Sequence, residues 1–227
     1  MAQDRPVRPE VVAFDIIGTT FPLAPLRPLL TALGLPPAAL EAWFAAGLRD
    51  AFALSATGNF RPLTEVLSGG LDQLLAQEGL SASHGEKSAV LEAMGRLPPR
   101  PDAREAFETI TAAGMRVLAL SNGAADATRA LLRAGGLEHL VGPVVSVEEV
   151  RLFKPRREVY EHAARIAGVP AGRMALVAVH SWDIQGAGAA GLSTAYVSAE
   201  QPFSTVMRRP DLETPTLAAA ARALIAL

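Results

Sequence analysis

From Asp102 to its end the sequence alternates short apolar runs with amphipathic ones, and few folds satisfy that pattern. Residues 116–120, 144–147, 174–179 and 194–197 read as strands, the third being apolar throughout. Between and around them, helices are expected over 102–113, 124–134, 156–167, 184–190 and 216–227, with Asp102 capping the first and Gly114 ending it. Strand and helix in strict alternation mean a parallel sheet covered on both faces. Ligands of such sheets bind in the crevice beyond the carboxyl ends of the strands. Polar residues at strand ends are therefore the ones to examine.

The first strand lies far upstream. Val11-Val12-Ala13-Phe14 has the apolar character of a strand buried on both faces, and Asp15 stands where it should stop. Gly18, Thr19 and Thr20 follow, the glycine letting backbone N–H groups approach an anion closely. Residues 22–101 contain no convincing strand. They carry four helix patterns, at 25–33, around Leu40, Trp43, Phe44, Leu48 and Phe52, at 62–78 and at 86–96. The run Pro98-Pro99-Arg100-Pro101 then forms a stiff hinge. The expected fold is α/β, a parallel sheet with an all-helical insertion.

A chain of 227 residues, half of them hydrophobic and 19% charged, suits one large domain or a core with a smaller insertion. Its net charge of −2 lacks the basic footprint of a nucleic-acid partner. It has no cysteine, which excludes disulfides, thiolate metal sites and a cysteine nucleophile. No apolar run is long enough for a membrane span, and residues 1–9 lack the apolar stretch of a signal peptide, so a cytoplasmic location is expected.

Three strand ends carry groups that could share one cleft: Asp15, Ser121-Asn122, and His180 to Asp183. Lys154 precedes a proline at a loop-to-helix junction. Asp15 could act as a nucleophile, and Ser121 and Asn122, with nearby backbone N–H groups, could hold an anionic part of a substrate. Lys154 supplies positive charge that Asp183 could fix near Asp15. His180, alone of four histidines at a strand end, is the candidate base. Each group alone has a bland explanation: a turn aspartate, a Ser-Asn-Gly turn, a solvated lysine, a helix N-cap, a core histidine. Their joint order and strand placement favour chemistry.

Phe14-Asp15-Ile16-Ile17-Gly18-Thr19, Leu120-Ser121-Asn122-Gly123, Phe153-Lys154-Pro155 and Trp182-Asp183-Ile184-Gln185-Gly186-Ala187 resemble, in order, the four motifs of the haloacid dehalogenase superfamily. The resemblance implies a Rossmann-like core formed by residues 1–21 and 99–227, with residues 22–98 as a helical cap over the site. It also implies a nucleophilic Asp15 that forms a covalent ester, with Thr19 and Ser121 orienting and binding. Lys154 would offset the carboxylate charge and Asp183 would hold Lys154.

Within that superfamily, magnesium-dependent phosphatases place a second aspartate two residues after the nucleophile, where this chain has Ile17. They also place an acidic metal ligand four or five residues before Asp183, where it has Val179 and Ala178. The 2-haloacid dehalogenase branch lacks both groups and uses no cofactor, since a departing halide needs no proton. His180-Ser181-Trp182-Asp183 and Lys154-Pro155 followed by Val159-Tyr160 resemble that branch, which makes Tyr160 a candidate substrate contact. Members of the branch carry an arginine after a cap tryptophan. Aligning Trp43 with it puts Phe44 there, an apolar pocket residue, with Arg49 or Arg61 as compensating cations. The reading is a metal-independent hydrolase of short 2-halo acids. A magnesium-dependent phosphatase and a catalytically impaired binding protein are the alternatives, and the apolar cap points to a homodimer.

Overall fold

The computed structural model describes residues 7–199 and 202–227. Six parallel strands form one sheet in the order β3-β2-β1-β4-β5-β6: β1 (Val11–Asp15), β2 (Arg116–Ser121), β3 (Val144–Ser146), β4 (Met174–Ala178), β5 (Ser193–Val197) and β6 (Leu212–Thr214). The direction of chain progression reverses between β1 and β4, which pair with Val11 opposite Met174 and Phe14 opposite Val177. Every residue of β1 and β4 is buried, as strands covered on both faces must be.

Around the sheet, α5 (Ala103–Ala112) packs beside α9 (Leu217–Ile225), and α7 (Arg157–Ala167) beside α8 (Ser181–Ala189). The α5 stripe Ala103, Ala106, Phe107 and Ile110 repeats at helical spacing and is fully buried, with the Phe107 ring 4.6 Å from that of Phe14. Asp102 does not cap its own helix. Its carboxylate accepts the backbone N–H of Ala218 at 2.9 Å, in the first turn of α9, because α9 packs alongside α5 and brings its unpaired amide there.

Between β1 and α5 lie α1 (Arg27–Ala32), α2 (Ala39–Ala56), α3 (Leu63–Gln77) and α4 (His84–Ala93). The helices α2 and α3 approach closely at glycines: an added Cβ on Gly47 would lie 2.5 Å from Leu67 Cδ2. The Trp43 indole N–H donates to Leu67 O at 2.8 Å. The proline run after α4 is anchored to the loop that follows β1. Arg100 donates its backbone N–H to Thr20 O (2.8 Å) and its guanidinium to Thr19 O (2.6 Å) and Gly18 O (3.3 Å). No helix among the described residues is long and apolar enough to cross a membrane.

Candidate active site

The sheet's switch point, between the carboxyl ends of β1 and β4, is where a ligand crevice is expected. Asp15 ends β1 there, and the chain turns sharply. Thr20 Oγ1 donates to the Asp15 carbonyl at 2.7 Å, Gly18 N–H donates to Phe21 O at 2.9 Å, and Gly18 adopts φ +88°. A Cβ at Gly18 would sit 2.8 Å from His180 Cε1, so only glycine leaves room for that ring.

Both carboxylate oxygens of Asp15 have donors. Oδ1 accepts Lys154 Nζ at 2.7 Å, and Oδ2 accepts Thr19 Oγ1 at 2.6 Å and lies 3.0 Å from His180 Nδ1. Thr19 Oγ1 itself accepts the Val179 N–H, which fixes its proton toward Asp15. Lys154 is completely buried rather than solvated. Its ammonium also reaches Asp183 Oδ2 at 2.7 Å and Leu120 O at 3.4 Å, using all three protons. Asn122 Oδ1 accepts the Lys154 backbone N–H at 3.1 Å, while Ser121 Oγ accepts the Gly123 N–H. Both side chains are buried and brace the loops that flank the cluster.

The helix α8 starts three residues before the expected 184, with His180 as its N-cap residue. That early start places Asp183 in the first turn, where a negative charge is favoured by the helix N-terminus. Tyr160, expected as a substrate contact, sits instead behind Asp183. It is wholly buried and donates its hydroxyl to Asp183 Oδ1 at 2.5 Å, because α7 packs against α8 at Gly186. Its phenol is thereby committed to a carboxylate that the lysine also needs.

Burial disfavours charge on Asp15, but Lys154 and the His180 donor outweigh it and hold the carboxyl far below the usual carboxylate range. Asp183 is shifted the other way, chiefly by burial and by the neighbouring Asp15 charge, against the pull of Lys154. Burial opposes charge on Lys154 too, yet two carboxylates keep its pKa above the ordinary 10.5. Burial and Asp183 push the Tyr160 hydroxyl well above 10. The site thus holds an oriented Asp15 carboxylate that ionises readily beside a charged Lys154 ammonium.

The insertion closes this cluster with aromatic rings. His180 stacks on Trp182 with centroids 5.0 Å apart and faces Phe44 of α2 at 6.0 Å, while Phe52, two turns further along α2, meets the edge of Trp182 at 5.4 Å. Ser55 of the same helix accepts the backbone N–H of Phe153 at 2.9 Å, next to Lys154. Arg49 is exposed and bonded to Asp50 and Gln73, and Arg61 lies near Glu65, so neither compensating arginine joins the cluster. Trp182, Ser55 and Arg100 were not singled out from sequence. Trp182 lay inside a motif read for its aspartate, and Arg100 lay inside a proline run read only as a hinge.

The donor set does not fit a magnesium ion. Among the described residues no group of three or more His, Asp or Glu could hold a metal, and the ammonium of Lys154 occupies the space between the two carboxylates.

The class follows from the fold and the ordered strand-end groups. A family model for haloacid dehalogenase-like hydrolases matches residues 9–191, and the chain belongs to that family. Curated relatives within it include (S)-2-haloacid dehalogenases and a haloacetate dehalogenase. The chain is 30% identical over 156 residues to (S)-2-haloacid dehalogenase 1 of a Pseudomonas species, covering 69% of each protein. It is 25% identical over 213 residues to haloacetate dehalogenase H-2 of a Moraxella species, covering 92% of this chain and 94% of that one. Among solved structures, the L-2-haloacid dehalogenase of Xanthobacter autotrophicus with covalently bound chloropropionic acid superposes with a TM-score of 0.87 at 23% identity, covering 95% of this chain and 98% of that one. The fold is therefore that of a parallel α/β core with a helical insertion after β1, and the protein is a hydrolase of the 2-haloacid dehalogenase family.

Proposed function

We propose that this protein hydrolyses short 2-halo acids, with preference for the (S) enantiomer, through an ester on Asp15. The Asp15 carboxylate attacks the carbon that bears the halogen, the C–O bond forms as the C–halogen bond breaks, and halide leaves with the bonding pair. Water then adds to the Asp15 carboxyl carbon, the ester opens, and 2-hydroxy acid, halide and one proton are released with Asp15 regenerated. The observation that carries this reading is a buried carboxylate, oriented by Thr19 and Lys154, with apolar Ile17 where a proton donor for an alkoxide would be needed.

Lys154 offsets the charge of Asp15, and Asp183, Tyr160 and Asn122 hold the lysine in place. Ser121 and Asn122, with the backbone N–H groups of their loop, take the substrate carboxylate. While Asp15 is ionised, His180 Nδ1 directs a proton toward it. As water adds to the ester, the imidazole accepts a proton from it at its other nitrogen, Nε2. Phe44, Phe52 and Trp182 exclude bulk water from the reacting carbon. Holding nucleophile and carbon together can supply on the order of 7–11 kcal/mol of barrier reduction. Residues 22–98 act as the cap and the remainder as the core, and the proposed assembly is a homodimer, read by light scattering.

The test is halide release from (S)- and (R)-2-chloropropionate in chelator, beside a panel of phosphate monoesters with magnesium. Chloride released from the (S) acid without metal is expected. Turnover confined to phosphate esters would contradict the reading.

A further inference from the structure

Away from Asp15, a cleft of about 590 Å³ lies where the insertion meets the core, lined by Leu54, Gly58, Asn59, Phe60 and Arg61 on one side and Arg151 on the other. Arg151 is the single non-glycine residue in the left-handed region among the described residues, at φ 54°. That conformation is strained for a residue with a side chain, and such strain collects at functional positions. Its guanidinium stands over the Phe60 ring, 5.3 Å from the centroid, and among the described residues no carboxylate pairs with it. Across the cleft, Arg61 has only Glu65 near it, at 3.9 Å and on an exposed helical turn. Arg61, Arg151 and Asn59 therefore line one polar hollow whose single acidic partner among the described ion pairs is Glu65, a long 3.9 Å from Arg61.

We propose that this cleft is an anion site for a carboxylate, gripped by Arg151 from the core and Arg61 from the insertion. Planar guanidinium groups match a carboxylate's two oxygens in forked hydrogen bonds, which a spherical anion cannot exploit. A bound carboxylate bridges the two parts of the chain. Its floor, Phe60, is stacked on Phe153 at 5.1 Å, immediately before Lys154, so occupancy bears on the segment that carries the buried lysine.

The test follows the Nε–H signals of Arg61 and Arg151 by NMR during titration with acetate at constant ionic strength, and separately with chloride. Both signals should move together, saturate with one midpoint in acetate, and need at least tenfold more chloride. Arg151→Gly keeps the left-handed backbone without its strain. It should melt no lower than the parent, yet lose the acetate response at Arg61 at least tenfold. Unequal midpoints, equal responses to acetate and chloride, or an Arg61 response unchanged in Arg151→Gly would each overturn the proposal.

Discussion

At Lys154 three charges meet without water, and the balance among them decides what each residue can tolerate. Lys154→Met would leave two buried carboxylates facing each other, which should cost about 3–5 kcal/mol in chemical denaturation. The Asp15 part of the pH dependence should also change sign. In the parent, Asp15 has a depressed pKa, so its contribution to stability is present above the ordinary 3.8 and lost as pH falls through the lower native value. In Lys154→Met the paired carboxylates resist ionising together, so stability should rise as pH falls toward the carboxylate range. Tyr160→Phe removes one donor from Asp183 while keeping the packed ring. It should cost about 1–3 kcal/mol and lower the rate of turnover without abolishing it, as denaturation and steady-state kinetics would show.

Elements set these residues in place, and here the sequence was readable to different depths. The apolar run Val11 to Phe14 and the strand that ends at Val177 and Ala178 were legible because burial on both faces leaves an unmistakable apolar signature. The edge strand β6, Leu212–Thr214, was not, since three residues with one glutamate carry no period. The early start of α8 was hidden because His180 caps it without any side-chain hydrogen bond. Asp15, Lys154 and Asp183 could be expected together from their strand-end spacing. The place of Tyr160 behind Asp183 could not, because it depends on how closely α7 and α8 pack. That packing rests on Gly186, where an added Cβ would meet the Pro155 backbone oxygen at 2.7 Å and the Tyr160 hydroxyl at 2.7 Å. Gly186→Ala should therefore cost about 1–3 kcal/mol by thermal melting and reduce turnover through Tyr160 and the loop that carries Lys154.

On the scale of the whole molecule, the open sheet and the helical insertion divide the work. The sheet's switch point supplies the charged groups, and α2 supplies the aromatic rings that shut them in. Alkaline stability belongs at this scale as well. The raised pKa of Lys154 gives a contribution fully present below 10.5 that is lost as pH rises through the higher native value, so denaturation midpoints should hold up to about pH 10.5 and fall between there and that higher value. The account as a whole stands on covalent participation by Asp15. A single turnover of (S)-2-chloropropionate in water enriched in oxygen-18, followed by mass spectrometry of the peptide containing residue 15, tests that participation directly. Incorporation of one heavy oxygen into the Asp15 carboxyl is predicted. Heavy oxygen found in the 2-hydroxy acid alone, with Asp15 unlabelled, would contradict it.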